Sequence, residues 1–279
     1  MFIKRNISRK KFLKVTVIVP IYLKTTKKDL LQCLNSIYNS SKVPGEILIC
    51  IDGKLSTNVE EFVKKLKKEK NVKLFISKKN LGLGRLLQRA VPVCKFDLVA
   101  RLDSDEYTSS KRFEIQYDFF KKMKDLVLLG GYSIEKLKNT KNILKKVPLK
   151  YSEIKYYSKL RNPFNHSTVM FRKKEILRVG GYTHQPFFED FLLWIKLINK
   201  KNNMLNIPKV LSYSNIDDSY YERRSGIDYF YKFLYFNIKI YKLRHLNIFY
   251  FILNIFFRLS VLLPLNIIKL MYMKLLRNE

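Results

Sequence analysis

Two acidic pairs and one pair of arginines stand at the positions in this sequence where chemistry could be done. Asp103-Ser104-Asp105 places two carboxylates one residue apart, so both can turn toward the same space. Hard oxygen ligands of this kind hold Mg²⁺ or Mn²⁺, which keeps several waters and takes its other ligands from substrate phosphates. A metal held there would neutralise a diphosphate leaving group where charge develops. Taken alone, an Asp-x-Asp triplet is weak evidence and is more often explained as a plain turn. Glu189-Asp190 precedes Phe191, Leu192, Trp194, Ile195 and Leu197, which reads as a helix N-terminus with acidic residues facing the dipole. Arg223-Arg224 offers guanidinium groups suited to bidentate phosphate binding, or simply a solvated charge pair. Gly82-x-Gly84 lacks the rest of a dinucleotide fingerprint, and no P-loop is found.

The elements around these residues alternate. Val15–Ile21, Glu46–Ile51, Val72–Ile76 and Asp97–Leu102 are β-branched or apolar runs of strand length, the first two continuous enough to be buried on both faces. Between them Asp29–Asn39, Val59–Lys68 and Leu83–Cys94 carry apolar residues at helical spacing, and Arg112–Lys124 follows as a further helix. Pro44-Gly45 reads as a chain break. This βαβ alternation predicts an α/β fold with a mostly parallel, doubly wound sheet. Ligands of such sheets bind beyond the carboxyl ends of the strands, where Tyr22, Asp52 and Asp103 all fall. After the apolar run Leu126–Ser133, the Lys-rich stretch Glu135–Lys150 reads as an exposed hairpin or loop marking a seam.

With 55 Lys and Arg against 23 Asp and Glu, the net charge is +32 over 279 residues. Nucleic acid, anionic lipid and phosphorylated small molecules all fit that balance. No helix-turn-helix pattern, RNA-binding motif or zinc spacing supports the first of these. Cys33, Cys50 and Cys94 are too few and too scattered for a disulfide framework and read as reduced, buried thiols. Residues 1–14 are basic but lack the features of a signal peptide. Ile248–Ile268 is almost wholly apolar, interrupted by Asn254, Arg258, Ser260, Pro264 and Asn266 and flanked by basic residues on both sides. Its length barely allows a span, and a central arginine disfavours one. A segment lying in the interface of an anionic leaflet is the favoured reading, with a core helix as the alternative.

Taken in order, these segments resemble the family 2 glycosyltransferases of the GT-A fold. Val15-Thr-Val-Ile-Val-Pro-Ile-Tyr22, Leu31-Gln-Cys-Leu-Asn-Ser-Ile37 and Ile49-Cys-Ile-Asp-Gly53 resemble the family's opening strand, helix and second strand. Asn80-Leu-Gly-Leu-Gly84, Ala100-Arg-Leu-Asp-Ser-Asp-Glu106 and Arg112-Phe-Glu-Ile-Gln116 continue the series. Asn165-His-Ser-Thr-Val-Met-Phe-Arg172, Gly180-Gly-Tyr182 and Phe188-Glu-Asp-Phe-Leu-Leu-Trp194 complete it. The amylovoran-type transferases of bacterial polysaccharide assembly are the most similar subgroup.

The resemblance implies a GT-A (Rossmann-like) domain over residues 15–226, with a donor half at 15–134 and an acceptor half at 135–226. A basic segment, 1–14, precedes it, and a helical, membrane-associating region, 227–279, follows. It further implies that Tyr22 and Asp52 face the uracil and ribose of a UDP-sugar, with Arg101 and Asp103 also on the donor and Asp103 and Asp105 on Mg²⁺ or Mn²⁺. Asp190 would be the general base of an inverting transfer, and His166, Glu189 and Trp194 would meet the acceptor. Arg223 and Arg224 would form a basic loop over the diphosphate. The implied reaction moves a galactose- or glucose-type hexose, with or without an N-acetyl group, from UDP to a lipid-linked saccharide. No nucleic acid takes part, and the protein would sit peripherally on the inner face of a bacterial cell membrane. Relatives often have two acidic residues where only Asp52 stands before Gly53, and Glu106 stands where they commonly have Asp. The alternatives are a basic nucleic-acid-binding protein, or a nucleotidyltransferase, for which Ile21–Lys28 lacks the glycines.

Overall fold

The computed structural model describes residues 11–137 and 142–275. Most of the basic N-terminal segment, the middle of the Glu135–Lys150 stretch and the last basic flank at Arg277 therefore lie outside the described residues.

The chain opens with β1 (Phe12–Tyr22), α1 (Lys27–Tyr38), β2 (Val43–Asp52), α2 (Thr57–Leu66), β3 (Val72–Ser77), α3 (Leu83–Ala90) and β4 (Leu98–Arg101). These four strands lie parallel in the order β3-β2-β1-β4. Val17, Val19 and Ile21 point into a core shared with α1 and α2, while Ile18 and Leu48 point into a second core shared with α3. Burial on both faces explains why these strands read as continuous apolar runs rather than alternating ones. Pro44-Gly45, read from sequence as a break, lies inside β2. A Cβ on Gly45 would stand 2.7 Å from the Leu13 carbonyl and 2.9 Å from the Phe96 ring, so glycine lets β1 and Phe96 close against β2.

Then follow β5 (Glu106–Thr108), α4 (Arg112–Lys122), β6 (Leu126–Leu137), β7 (Ile143–Lys145), α5 (Tyr151–Tyr157), β8 (Met170–Arg172) and α6 (Lys173–Arg178). After them come α7 (Glu189–Asn199) and β9 (Asn203–Ile216). They extend the sheet to β3-β2-β1-β4-β8-β6-β9-β5, with β7 pairing β6 as a hairpin. β8 runs antiparallel to both β4 and β6, so it seams the parallel half to the mixed half. The helix expected over Leu83–Cys94 stops at Ala90, and Pro92 continues it as one 3₁₀ turn.

The C-terminal helices are α8 (Asp218–Glu222), α9 (Gly226–Lys242), α10 (Ile248–Arg258) and α11 (Leu265–Leu275). Phe233, Phe236 and Ile240 of α9 pack on Phe188, Phe191 and Ile195 around α7. α10 is turned inside out: its polar residues face the protein. Buried Asn254 donates to the Lys159 carbonyl and to Asn237 Oδ1, and Arg258 stacks on the Phe233 ring at 4.1 Å. Ile248, Phe249, Ile252, Phe256 and Phe257 face outward, Phe256 being 68% exposed. No described helix is long and apolar enough to cross a membrane.

Candidate active site

The parallel half delivers three groups to its carboxyl edge. Tyr22 and Asp52 end adjacent strands and stand directly opposite each other in the register. Asp52 is buried, and its two oxygens accept the amides of Leu81 at 2.6 Å and Gly82 at 2.9 Å. Gly82, at φ 77°, adopts the left-handed conformation that brings its N–H to that carboxylate. Asp52 thus clasps the loop that starts α3. Tyr22 remains 37% exposed at the rim.

Beyond β4 the chain turns through Asp103, Ser104 and Asp105. Ser104 is buried and lies 3.4 Å from Thr25 Oγ1, tying this turn to the one after β1. Asp103 pairs bidentately with Arg101, whose side chain is almost fully buried at the end of β4. Burial works against the Arg101 charge, but Asp103 and Glu106 outweigh it and hold the guanidinium more firmly protonated than usual. Asp105 opens to solvent on one side and is walled by protein on the others. That surrounding, and then the neighbouring Asp103 charge, raise its carboxyl to about 6. Behind it, burial followed by Asp103 pushes Glu106 up to about 8, and its Oε2 has no hydrogen-bond partner.

The floor is a second buried cation. Arg112 has no exposed surface, and it donates to the Arg101 carbonyl at 2.8 Å, the Val169 carbonyl at 3.3 Å and Gln116 Oε1 at 3.1 Å. Gln116 in turn donates to the carbonyls of Leu129 and Thr168. Burial lowers the Arg112 guanidinium to about 9.

The mixed half delivers Glu189 and Asp190 on the first turn of α7, both buried. Burial and then Asp190 raise Glu189 to about 7, with Asp103 also contributing. Burial raises Asp190 as well, against the hydrogen bond from Asn162 Nδ2 at 2.8 Å, the Phe191 N–H and the Arg101 charge. His166 Nδ1 stands 4.0 Å from Asp190 Oδ2, and its Nε2 meets the Tyr182 hydroxyl at 2.8 Å. Burial, aided by Arg101, depresses His166 well below its ordinary range, so the imidazole is neutral. Arg101 therefore lies within electrostatic reach of Asp103, Asp105, Glu189, Asp190 and His166 alike. Asp103 alone pairs with this buried guanidinium, while Asp105, Glu189 and Asp190 feel its charge without contacting it in any described hydrogen bond or ion pair.

Other expected residues stand elsewhere. Trp194 has no exposed surface; it packs edge-on to His166 and Tyr182 and against Phe164. An acceptor contact is expected of it from sequence; in the structure its ring packs behind His166. Arg223 is exposed and donates to the Ser219 carbonyl, while Arg224 stacks over Tyr220 at 3.9 Å. Their partners belong to α8 rather than to the carboxylates.

Sequence reasoning missed three participants. Asn162 sits in a loop whose pattern carries no signal for it. Gly84, part of the Asn80-Leu-Gly-Leu-Gly84 motif but given no role from sequence, is where α3 meets α7: a Cβ there would lie 2.5 Å from the Thr183 carbonyl and 3.2 Å from Glu189 Cβ. Phe187 has φ 70°, a conformation that bulky residues rarely adopt, and its ring is 38% exposed, edge-on to Tyr229.

Asp103 and Asp105 suit a divalent cation. Two adjacent carboxylates, one raised by the other's charge, are what a cation would relieve, and Mg²⁺ or Mn²⁺ needs only one or two from the protein when phosphates supply the rest. Among the described residues no group of three or more His, Cys, Asp or Glu forms a closed metal cage.

A mostly parallel α/β sheet with acidic turns beyond its carboxyl edge, joined to a mixed half that adds a buried acidic pair, has the architecture of the GT-A type. Residues 16–181 match the glycosyl transferase family 2 model, and the chain belongs to that family. It is 36% identical over 268 residues to the UDP-Gal:alpha-D-GlcNAc-diphosphoundecaprenol beta-1,3-galactosyltransferase of Escherichia coli, covering 95% of this chain and 97% of that one. It is 30% identical to the amylovoran biosynthesis glycosyltransferase AmsE of Erwinia amylovora, covering 77% of this chain and 80% of that one. Among solved structures, S. aureus TarS 1-349 in complex with UDP-GlcNAc superimposes with a TM-score of 0.62 at 18% identity over 81% of this chain. A mannosyltransferase from Pyrobaculum calidifontis in complex with GDP-Man and Mn2+ gives 0.58 at 13% identity over 76% of this chain. The chain spans 66% and 60% of those two solved chains, which carry the likeness of fold.

Proposed function

We propose that this enzyme transfers a hexose of the galactose or glucose type from a UDP-sugar to a lipid-linked saccharide, with inversion at the anomeric carbon. The observation that carries the reading is the bidentate Arg101–Asp103 pair at the end of the parallel half, with buried Glu189 and Asp190 of the mixed half feeling the same guanidinium's charge. In this reading residues 15–134 bind donor and 135–226 bind acceptor. Tyr22, Asp52 and Arg101 line the nucleotide end, and Arg223 and Arg224 would have to swing from α8 to reach the diphosphate. Asp103 and Asp105 would hold Mg²⁺ or Mn²⁺, which when bound supplies positive charge to the departing diphosphate.

Asp190 takes the proton from the acceptor hydroxyl as that oxygen attacks. Its burial supports the role, because a carboxylate raised toward neutrality is a stronger base than one in water. Glu189 and His166 bind the acceptor beside it. His166, kept neutral, can donate or accept a hydrogen bond without adding charge. A single displacement at the anomeric carbon needs no covalent intermediate.

The relative from E. coli acts, by its name, on a diphosphoundecaprenol-linked sugar. A lipid acceptor here agrees with the outward apolar face of α10 and the net charge of +32, which together suit peripheral association with the inner face of an anionic membrane.

The test is turnover of UDP-galactose by the full-length protein with GlcNAc-diphosphoundecaprenol and Mn²⁺, beside Asp190→Asn. The variant is expected to lose at least about 100-fold in kcat while binding UDP normally. Undiminished turnover by Asp190→Asn refutes the base assignment. No metal-dependent binding of any UDP-sugar refutes the donor assignment.

A further inference from the structure

The loop between α5 and β8 contributes Asn162. Its Nδ2 donates to Asp190 Oδ2 at 2.8 Å, and its Oδ1 accepts the Phe164 N–H at 3.2 Å. The second bond settles which end of the amide is which. An amide oxygen must face the Phe164 donor, so the NH₂ group must face the carboxylate. Pro163 stands between the two residues and fixes its own φ, which limits how far Asn162 and the Phe164 amide can drift apart.

Every other group around Asp190 acts in a direction that can be named. Burial favours its neutral form; the Phe191 N–H on α7 and the Arg101 charge on β4 favour the ionised form. Glu189, next to it on α7, is a second buried carboxyl, itself raised by burial and then by the Asp190 charge. His166 approaches the same Oδ2 to 4.0 Å but is neutral, and Tyr182 engages the far nitrogen of that ring. After burial, the Asn162 hydrogen bond is the strongest influence on this carboxyl, and it opposes burial. It also grips one oxygen, which sets the rotation of the carboxylate about its last torsion.

We infer that Asn162 is a positioning residue: its amide holds Asp190 ionised and in one rotation, ready to accept the acceptor's proton. The inference rests on the reading of Asp190 as the base. Losing a hydrogen bond to an ionised group favours the neutral form, so removing the Asn162 amide raises the proton affinity of Asp190 by roughly tenfold or more.

The experiment titrates Asp190 directly in the full-length protein labelled with ¹³C at aspartate carboxyls, its resonance identified by its loss in Asp190→Asn. Asn162→Ala is expected to move the Asp190 midpoint upward by that factor. Asn162→Asp is the second variant, isosteric and able to keep the Phe164 contact while replacing the donor by an acceptor, and it is expected to move the midpoint further. The acid limb of kcat/KM should move with the midpoint in each. A midpoint unmoved in Asn162→Ala overturns the inference, because an asparagine that merely packs would leave it in place, whereas the new charge of Asn162→Asp raises the midpoint in either case. The two claims separate cleanly: full turnover by Asp190→Asn removes the base assignment, whatever the titration shows.

Discussion

Replacing Glu189 by glutamine should make the protein more stable, and only at neutral to alkaline pH. The side chain is 8% exposed, and burial with the Asp190 charge raises its carboxyl from an ordinary 4.5 to about 7. An acid whose affinity for its proton is higher folded than unfolded contributes most stability below pH 4.5. That stability is lost as pH rises through 7, after which a constant penalty remains. The interval corresponds to a factor of roughly 300 in proton affinity, or ~3 kcal/mol in full. Between pH 5 and 8.5 the wild type should therefore lose roughly 2 to 3 kcal/mol that Glu189→Gln retains, since glutamine keeps the shape and carries no charge. At about 2 to 4 °C per kcal/mol for a domain of this size, the gap in Tm should widen by on the order of 5 to 10 °C. Thermal unfolding of both proteins at the two pH values in metal-free buffer measures it, and other titrating groups cancel in the difference. A gap that is the same at both pH values would refute the claim that burial at the start of α7 governs this carboxyl.

Gly84→Ala should destabilise despite alanine's better helix propensity, worth up to ~1 kcal/mol. The new Cβ would fall about 0.9 Å short of ordinary contact with the rigid Thr183 carbonyl, and overpacking of this kind costs about 1 to 3 kcal/mol. A lower denaturation midpoint together with reduced turnover is expected; an unchanged or higher midpoint contradicts the close approach of α3 to the α7 turn. Phe187→Gly should act in the opposite sense on stability, because φ 70° suits glycine and strains phenylalanine by about 1 to 3 kcal/mol. An urea midpoint raised relative to wild type is expected, and one lowered by more than the loss of the Tyr229 contact explains, about 1 kcal/mol, would argue against strain there.

The parallel half was legible in the sequence because its strands are buried on both faces. Val15–Ile21 and Glu46–Ile51 fall within β1 and β2, and the helices between them keep their apolar spacing. The mixed half was not. β5 and β8 are three residues each, too short to show a period, and β9 mixes Asn, Ser and Lys with its apolar residues along its pairing with β6. The acidic residues of the site were readable because the triplet and the helix-opening pair have types and positions that chemistry would choose. Asn162 acts through what it touches, a carboxylate 28 residues away, and no local pattern encodes it; Gly84 lies in a readable motif, but its close approach to the Thr183 carbonyl does not show in that motif. The polar interruptions at Asn254 and Arg258 pointed toward a compromised apolar segment. In space both turn inward, and the outer face is cleaner than the linear sequence suggests.

One guanidinium also couples the two sides mechanically. Arg112, through a single Nη2, holds the carbonyl that precedes the acidic turn and the carbonyl that follows the His166 turn, and Gln116 adds a second tie to that turn. The backbone before the acidic triplet and the backbone after the His166 turn are thus bolted to the same helix, so neither can shift without straining the other.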